Sequence, residues 1–295
     1  MKHQRLIFYN PLSNEGKAKR DWEMLVKKHP DLAQSAYSLF SIENLVQFLK
    51  DVDPEVVVVA GGDGSINIVC NAVMQLKKKP MVAIIPLGFG NALAYCFGVE
   101  TIEKALGVLK KSEHTMTIDV MKTNLPDNPL GLFNIGVGFD ARIVHTRKNF
   151  RYIGFRSYLL SAFRSILFHP HSEITFTIDH SVTLSAMASS LMVANGPIIG
   201  QNYLVAPEAG LDDGLLDCTL FSTKYAYLTN LRLRGFKHPL YSLLGKVHFK
   251  ASHIKIAGDP YVQIDGDSLE QPEGLEITIA KKQLTFLCNS EGIVQ

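Results

Sequence analysis

The sequence predicts a chain of two parts, an α/β domain followed by an antiparallel β-rich domain, and three observations support this. Up to about residue 122, short apolar runs alternate with longer segments of helical periodicity, as in a parallel sheet covered by helices. After residues 127–129, many short β-rich stretches separated by turn residues replace that pattern. A length of 295 residues and a hydrophobic fraction of 46% suffice for two cores, at about 150 residues per domain.

In the first part, apolar runs predict four strands, at 5–9, 55–60, 81–85 and 115–121. The run at 56–59 consists of four valines, as expected for a central parallel strand that is covered on both faces. Apolar residues at a spacing of three to four, with lysines towards the segment ends, predict helices at 16–28, 42–50, 66–77 and 102–110.

In the second part, one amphipathic helix at about 155–168 interrupts the β-rich pattern. Arg156 and Arg164 lie within it, so this segment falls short of the roughly 20 apolar residues that span a bilayer. The predicted strands are 173–178, 182–193, 215–221, 253–257, 261–264, 275–279 and 283–288.

Charge and cysteine content narrow the class of protein. Lys plus Arg is 30 and Asp plus Glu is 28, and a net charge of +2 is too small to favour a nucleic-acid partner. The apolar run at 6–9 is too short for a signal peptide. Four widely spaced cysteines predict buried, reduced thiols in a cytosolic chain: Cys70, Cys96, Cys218 and Cys288.

The strongest local signal for chemistry is Gly-Gly-Asp-Gly-Ser at 61–65, between a buried-type strand and a predicted helix. Glycines there let backbone N–H groups converge on an anion, and the helix N-terminus adds its positive dipole. Asp63 would repel phosphate unless a divalent cation bridges the two, so it favours magnesium–nucleotide chemistry. No Walker A sequence occurs. A tight turn of an ordinary doubly wound domain is the alternative for this segment alone.

A second glycine-rich loop, at 86–92, follows the next strand. Parallel sheets bind ligands at the carboxyl ends of their strands, so the two loops together favour a ligand site, although this loop alone is equally consistent with a plain connection. The match to GxGxxA at 136–141 is rejected as a dinucleotide motif, because it lacks a βαβ frame with an acidic residue about twenty positions on.

Two acidic turns lie in the second part. Residues 210–217 place three carboxylates around a turn, which suits Mg²⁺, and an acidic β-turn is the alternative. Residues 264–267 place two carboxylates around a glycine, a pattern that alone is most often a hairpin turn. The ten histidines are scattered and predict no metal set.

Taken together, these segments resemble the diacylglycerol-kinase catalytic-domain family, which includes bacterial lipid kinases and sphingosine kinases. Six segments that span almost the whole chain are similar to motifs of this family. Asn10 to Ser13 is similar to NPxSG, Gly61 to Ser65 to GGDGT, and Pro86 to Asn91 to PxGTxN. Gly136 to Ala141 is similar to GxGFDA, Asp212 to Asp217 to DDGxLD, and Asp265 to Asp267 to DGE. The resemblance implies a three-layer NAD-kinase-like α/β domain at 1–122, completed by about 284–295. It also implies a β-sandwich domain at 123–283, with ATP in the cleft between the two.

The resemblance further implies Mg²⁺-dependent transfer of the ATP γ-phosphoryl group to a lipid hydroxyl, in which positioning and charge neutralisation carry the catalysis. Asp63 would belong to the magnesium network, and Asp119 would join it through water. Asp265 and Asp267 fall on the proton-acceptor motif, and the base is not assigned to one of them. Gly210, Asp213 and Leu215 match a structural magnesium site. The implied nucleotide-binding residues are Asn10, Pro11, Ser13, Gly61, Gly62, Asp63, Gly64, Ser65, Asn67, Phe89, Gly90 and Asn91.

The chain departs from the family pattern at four positions. Ser65 replaces threonine and keeps a hydroxyl, whereas Asp267 replaces glutamate and shortens the reach of the motif by one methylene. Phe89 replaces a threonine or serine and removes a hydroxyl. Ala92 replaces the aspartate of bacterial glycerolipid kinases within a GNALA sequence similar to that of sphingosine kinases, but Val144 stands near the place of their sphingoid-binding acid. The lipid stays open between a glycerolipid and a sphingoid base.

Access to a lipid requires contact with a membrane. A basic and aromatic patch suited to an anionic surface is predicted at Arg147, Lys148, Arg151, Arg156 and Tyr158. The alternative is a solvated helix that packs its apolar side chains in the core: Leu159, Leu160, Phe163 and Leu167. We therefore expect a cytoplasmic protein, peripheral at the membrane, with a lipid substrate and no nucleic-acid partner. A homodimer stays open.

Two other functions remain to be distinguished. An NAD kinase shares the glycine–aspartate loop, although the second loop and the 212–217 motif disfavour it. A nucleotide- or lipid-binding protein with a weakened catalytic site is the other reading, and it rests on Phe89 and Asp267.

Overall fold

The computed structural model shows two compact units. The first comprises Met1–Ile118, Gly200–Asn202 and Lys282–Gln295, and the second comprises Asp119–Ile199 and Tyr203–Lys281. The structure describes residues 5–39, 44–111, 113–125, 129–147, 160–161, 163–165, 167, 171–200, 203–232, 245–258, 261–270 and 274–290.

The first unit is built on a parallel sheet in which β1 lies between β2 and β3, and β3 pairs with β4. Every residue of β3 is buried, because its valines pack on both faces of the sheet. The strands in chain order are β1 (Arg5–Tyr9), β2 (Ala36–Ser38), β3 (Val56–Gly61), β4 (Met81–Pro86) and β5 (Thr115–Thr123), whose residues from Asp119 onward belong to the second unit.

Helices connect these strands, and two 3₁₀ turns, Ser13–Gly16 and Pro30–Ser35, flank the first helix. The helix predicted from Ile66 begins at Asp63 instead, because Gly62 takes the extended N-cap conformation. Asp63 is therefore the first helical residue. The helices are α1 (Lys17–Lys28), α2 (Leu45–Val52), α3 (Asp63–Met74), α4 (Ala92–Cys96) and α5 (Ile102–Lys111).

The second unit consists mainly of antiparallel strands. Its described residues include the helices α6 (Phe139–Arg147) and α7 (Lys224–Arg232) and further helical residues at 160–161, 163–165 and 167. Its strands are β6 (Asn134–Gly138), β7 (Ser172–Ile178), β8 (Val182–Ala188), β9 (Ser190–Ala194), β10 (Ile198–Ile199), β11 (Tyr203–Leu204), β12 (Leu216–Phe221), β13 (Lys246–Ala251), β14 (His253–Ala257), β15 (Tyr261–Ile264), β16 (Asp267–Glu270) and β17 (Leu275–Leu287).

Two sheets enclose the core of this unit. One has the order β13-β12-β9-β6-β15-β16, and in the other β14 lies between β7 and the first half of β17, with β8 at the edge. Buried residues of both sheets, among them Val137, Leu191, Ile254 and Ile277, form one hydrophobic cluster. The predicted fold class, α/β followed by an antiparallel sandwich, is confirmed.

Some predicted boundaries were wrong. The stretch 182–193 is two strands, β8 and β9, separated at Ser189, whereas 275–279 and 283–288 are parts of the single strand β17, in which Lys282 adopts a φ of 50°. The end of β17 belongs to the first unit, where Phe286 pairs with Val82 of β4 and stacks on Phe97.

All four cysteines are buried, and none forms a disulfide bond. None of the helices in the described ranges is long and apolar enough to cross a membrane.

Candidate functional site

Two glycine-rich loops of the first unit touch through their backbones. They follow β3 and β4, and the N–H of Leu87 donates to the carbonyl of Gly61 at 2.9 Å. A Cβ on Gly88 would lie 2.3 Å from the Cα of Gly62, and a Cβ on Gly62 would lie 2.9 Å from the Cα of Gly88. Only glycine fits at these two positions, so the loops present backbone rather than side chains at the carboxyl ends of the strands.

The turn after β1 joins the first loop through side-chain hydroxyl and amide groups. The Nδ2 of Asn10 donates to the Oγ of Ser65 at 2.8 Å, and the Oγ of Ser13 lies 3.3 Å from the same atom. The Oδ1 of Asn10 accepts from the N–H of Leu12 at 2.9 Å, which closes the turn around Pro11. The structure thus brings together these predicted residues, and the hydroxyl of Ser65 keeps its contacts without the threonine methyl.

Asp63 places a carboxylate at the N-terminus of α3. Its Oδ1 accepts from the N–H of Leu93 at 3.3 Å, which links the first loop to α4. Burial raises the pKa of this carboxyl, and the backbone N–H groups of Ala92 and Leu93 oppose the shift. Gly64, the next residue, is exposed, and nothing lies within 4 Å of the position of its Cβ. The helix N-terminus therefore offers open space beside a carboxylate, an arrangement suited to an anion with a bridging cation.

Asn91 closes the second loop on itself. It adopts a φ of 51°, accepts from the N–H of Gly88 at 3.0 Å and donates to the carbonyl of Gly88 at 2.9 Å. Phe89 at the tip is 41% exposed, with Gly90 beside it. Asn67 lies one turn into α3, where its Oδ1 accepts from Asn71 at 2.7 Å. Asn91 thus fixes the loop that approaches Gly62.

A cavity of about 380 Å³ lies elsewhere in the first unit. Pro54 and Pro80, which precede β3 and β4, are among its lining residues, so it opens at the amino ends of these strands. None of the predicted site residues that the structure describes is among its lining residues. The remaining lining residues are Leu49, Lys50, Asp53, Gln75, Leu76, Lys77 and Lys78.

In the second unit, Asp265 and Asp267 have different surroundings. Asp265 is buried with a φ of 50°, and its carboxylate accepts from the N–H groups of Leu132 (2.7 Å), Phe133 (3.1 Å) and Asn134 (3.0 Å). Asp267 is exposed and begins β16. The two carboxylates of this motif therefore differ in their capacity to meet a substrate.

The residues of the predicted metal set lie close together in the second unit. Asp119 is fully buried, and its Oδ2 accepts from the N–H of Gly214 at 2.6 Å. Asp213 accepts from the N–H of Leu215 at 2.9 Å through Oδ1 and from Lys250 at 3.1 Å through Oδ2. A Cβ on Gly210 would lie 3.3 Å from Asp213. In the part of the chain that the structure describes, no three His, Cys, Asp or Glu residues are grouped to hold a metal.

Sequence reasoning placed Asp217 in the acidic turn at 210–217 but missed its two basic neighbours, Lys250 and His248. Asp217 is fully buried, and its carboxylate lies 3.3 Å from Lys250 and 3.2 Å from the ring of His248. Partial burial disfavours the charge of Lys250, but the hydrogen bond to Asp213 and the charges of both aspartates outweigh this and raise its pKa. Lys250 lies 37 residues from Asp213, and no local pattern signals this pairing.

A buried polar network around Asp140 was also missed. Its carboxylate meets the Oγ of Ser190 at 2.7 Å and the Nε2 of Gln263 at 3.3 Å, and burial raises its pKa to about 6. The Oε1 of Gln263 accepts from the N–H of Gly266 at 2.9 Å. The aspartate of the 136–141 segment thus connects through Gln263 to the turn between Asp265 and Asp267.

Apolar side chains are exposed among the helical residues 160–161, 163–165 and 167. Leu160, Phe163 and Leu167 are 39%, 60% and 58% exposed, whereas Ser161 and Ser165 are buried. These three apolar side chains do not pack in the core, in contrast to the alternative expected for this helix. Arg147 ends α6, and the other four residues of the predicted patch lie outside the described residues: Lys148, Arg151, Arg156 and Tyr158.

Comparison with known proteins defines the class. The diacylglycerol kinase catalytic domain matches residues 4–123, and the YegS C-terminal NAD kinase beta sandwich-like domain matches residues 134–284. The chain therefore belongs to the diacylglycerol-kinase catalytic-domain family with a YegS-type C-terminal domain, which makes it a kinase-family protein. The resemblance seen in the six motifs is confirmed.

Relatives and solved structures agree with this assignment. A Staphylococcus haemolyticus protein named "Putative lipid kinase SH2167" is 29% identical over 257 residues, 83% of this chain and 80% of that protein. A Staphylococcus epidermidis protein named "Putative lipid kinase" is 26% identical over 85% of this chain and 81% of its own length.

The fold is shared with solved structures of two kinds. A Bacillus anthracis structure described as "a putative diacylglycerol kinase" has a TM-score of 0.79 at 24% identity, over 99% of this chain and 97% of that chain. An Archaeoglobus fulgidus NAD kinase in complex with ATP has a TM-score of 0.52 at 15% identity, over 98% of this chain and 95% of that chain. The predicted NAD-kinase-like fold is therefore confirmed.

Proposed function

We propose that the protein is an ATP- and Mg²⁺-dependent lipid kinase that transfers the γ-phosphoryl group to a lipid hydroxyl. The observation that carries the proposal is the close approach of Gly62 and Gly88 beside Asp63, at the N-terminus of α3. A surface of backbone with an adjacent carboxylate, in a chain of this family, suits a nucleotide polyphosphate.

In this proposal the first unit holds the nucleotide. Backbone N–H groups at 62–64 would bind phosphate oxygens, and Asn10 and Ser13 would hold Ser65 in place through their hydrogen bonds. The carboxylate of Asp63 is the kind of oxygen ligand that Mg²⁺ prefers, and the ion would neutralise charge on the phosphates. The other proposed nucleotide-binding residues are Pro11, Gly61, Asn67, Phe89, Gly90 and Asn91.

Asp267 is the better candidate for the base in the second unit. The carboxylate of Asp265 is buried and already accepts three backbone N–H groups, so its oxygens are directed into the loop and away from a substrate. Asp267 is exposed and can meet a hydroxyl. We therefore assign proton acceptance to Asp267 and the shaping of the loop to Asp265.

The acceptor is tested by incubating the full chain with labelled ATP, Mg²⁺ and a panel of diacylglycerols, monoacylglycerols, ceramide and sphingoid bases. NAD⁺ is offered in a parallel reaction, and products are identified by mass spectrometry. A phosphorylated lipid supports the proposal. Phosphorylated NAD⁺ alone would establish the NAD-kinase reading, and binding of Mg·ATP without any product would establish a binding protein.

The residue roles are tested in the same assay. Asp63→Asn and Asp267→Asn are expected to lower kcat about 100-fold or more, the usual range for a lost acid–base or charge-stabilising group, with little change in Tm. Glu173→Gln, an exposed change on β7, is the matched control and should leave kcat unchanged. Substantial activity of Asp267→Asn would remove Asp267 from the role of base.

We further propose that the protein works in the cytoplasm, peripheral at a membrane. Leu160, Phe163 and Leu167 lie on the exposed side of one helical segment, and Arg164 is exposed among them. Apolar side chains interspersed with basic ones suit the interface of an anionic bilayer. Sedimentation with phosphatidylglycerol vesicles, compared with phosphatidylcholine vesicles, tests this association.

A further inference from the structure

The ammonium group of Lys250 lies among three oxygen atoms of the second unit. Its Nζ is 3.1 Å from the Oδ2 of Asp213, 3.3 Å from the Oδ2 of Asp217 and 3.3 Å from the carbonyl oxygen of Glu208. An ammonium group has three N–H donors, so one donor is available for each of these three oxygens. The Lys250 side chain is 33% exposed, and the carboxylate of Asp217 is completely buried.

The completely buried carboxylate of Asp217 requires a positively charged group beside it. Neither of its carboxylate oxygens makes a hydrogen bond of ordinary geometry with a described residue. Within the described ranges, the basic groups beside it are Lys250 and the ring of His248, at 3.3 and 3.2 Å. A buried carboxylate without an opposing charge destabilises a fold strongly, so a positive group has to lie here.

The distances suit an ammonium ion rather than magnesium. Mg²⁺ binds oxygen at about 2.0–2.1 Å, whereas the oxygens here surround Nζ at 3.1 to 3.3 Å, near the upper end of the distance range of N–H···O hydrogen bonds. Asp213 is the single carboxylate of the structural metal set expected at Gly210, Asp213 and Leu215. One of its oxygens accepts from Leu215 and the other from Lys250, and the ammonium charge so close to this single carboxylate would repel a second cation. The residues present therefore do not fit a magnesium ion at this turn.

We propose that Lys250 is a built-in cation that takes the place of a structural magnesium ion at the turn 208–217. Lys250 on β13 is the cross-strand partner of Asp217 on β12, and Asp213 lies in the turn that leads into β12. One side chain thus fixes the turn to both strands. This unit then folds independently of divalent ions, whatever magnesium the nucleotide brings to the first unit.

Hydrogen exchange of the full chain tests the proposal without any kinase assay. Amide exchange in residues 208–217 is measured by mass spectrometry in 5 mM Mg²⁺ and in excess EDTA. We expect the exchange rates of this segment to differ less than twofold between the two conditions. A tenfold faster exchange in EDTA, confined to this segment, would show that a metal holds the turn and would overturn the proposal.

Substitution of Lys250 gives the second test. Lys250→Met keeps the length of the side chain and removes its charge, so Asp217 is left buried without its lysine. We expect Tm to fall by roughly 5–10 °C and exchange at 208–217 to rise at least tenfold, in Mg²⁺ and in EDTA alike. Lys255→Met, which removes the exposed ion pair with Glu276, is the matched control and should change Tm by less than about 2 °C.

The outcomes separate clearly. If Lys250→Met behaves like Lys255→Met, Lys250 does not hold the turn and the proposal is wrong. If Lys250→Met cannot be purified folded, Lys250→Arg replaces it: a stable, EDTA-insensitive Arg variant supports the need for a cation, and an EDTA-sensitive one contradicts it. Because none of these measurements uses phosphoryl transfer, failure of the kinase proposal would leave the result intact.

Discussion

The glycine loops of the first unit and the acidic turns of the second unit both combine glycine with aspartate, but they use these residues differently. Gly62 and Gly88 approach so closely that no side chain fits, and the backbone faces outward. In the second unit, Asp213 and Asp265 are already engaged, by Lys250 and by backbone N–H groups. Asp213 and Asp265 therefore hold turns together, whereas Asp63 lies beside open space at the N-terminus of α3.

Gly88→Ala is the strongest test of this contrast. Its Cβ would meet the backbone of Gly62 at 2.3 Å, so the two loops would have to separate. We expect kcat/KM for ATP to fall about 1,000-fold, which corresponds to about 4 kcal/mol. Gly107→Ala on α5 has open space around its Cβ and serves as the control that should retain activity. Wild-type affinity for Mg·ATP in Gly88→Ala would show that the close approach is dispensable.

Asp265→Ala tests the paired side of the contrast. The substitution leaves three backbone N–H groups, those of residues 132–134, without their acceptor in a buried place. We expect the free energy of unfolding to fall by about 3–4 kcal/mol, measured by urea denaturation. Asp51→Ala, an exposed change on α2, should cost less than about 0.5 kcal/mol. A loss as small as that of the control would mean that Asp265 is not a structural carboxylate.

The pH dependence of the free energy of unfolding tests the same contrast at Asp140, a buried carboxylate of the second unit. Its folded pKa of about 6 lies above the ordinary value of 3.8, so the folded state binds the proton more tightly than the unfolded state. The free energy of unfolding should therefore fall as pH rises from about 4 to 6 and stay lower above 6, by about 3 kcal/mol in total. Asp140→Asn should remove this dependence, which urea denaturation at pH 4.5 and pH 7.5 would measure.

The hydrogen bonds to Asp140 oppose this shift. The Oγ of Ser190 donates to the carboxylate at 2.7 Å and the Nε2 of Gln263 donates to it at 3.3 Å, and both bonds favour the charged form. The pKa is raised because the effect of burial is larger than that of these hydrogen bonds. An unchanged pH profile in Asp140→Asn would assign the titration to another group.

The smallest expected effect concerns the exposed helical residues. The double change Phe163→Ser and Leu167→Ser should shift Tm by less than about 2 °C, because both side chains are exposed. It should weaken binding to anionic vesicles about tenfold, since the apolar contact with the bilayer is lost. Met24→Ser, at a half-exposed position of α1, is the control and should bind vesicles like the wild type. Equal binding by the double variant would place the membrane contact elsewhere.

Local sequence signals predicted the first unit well. The strands expected at 55–60 and 81–85 occur at Val56–Gly61 and Met81–Pro86, because runs of branched apolar residues favour buried strands. The glycine loops were also placed correctly, since a strand followed by glycine and a helix is a local pattern. The start of α3 was missed by three residues because apolar periodicity begins only at Ile66, whereas the first turn is polar.

Long-range contacts explain what the sequence did not show in the second unit. Strand β6 contains Gly136 and Gly138 and has weak strand propensity, yet Gly136 is required there because its Cβ would lie 1.6 Å from the carboxylate of Asp140. Asp265 meets donors more than 130 residues away, and Lys250 meets Asp213 across 37 residues. Such pairings leave no periodic trace along the chain.

The position of strand β17 near the end of the chain affects how the protein folds while it is being synthesised. Its end completes the sheet beside β4, stacks Phe286 on Phe97 and is followed by Cys288, whose N–H donates to the carbonyl of His114. A ribosome reaches this segment only after synthesising the entire second unit. Until then the nascent first unit has an unpaired β4 edge, which can aggregate. Early translational arrest should therefore leave a product prone to aggregation and to proteolysis.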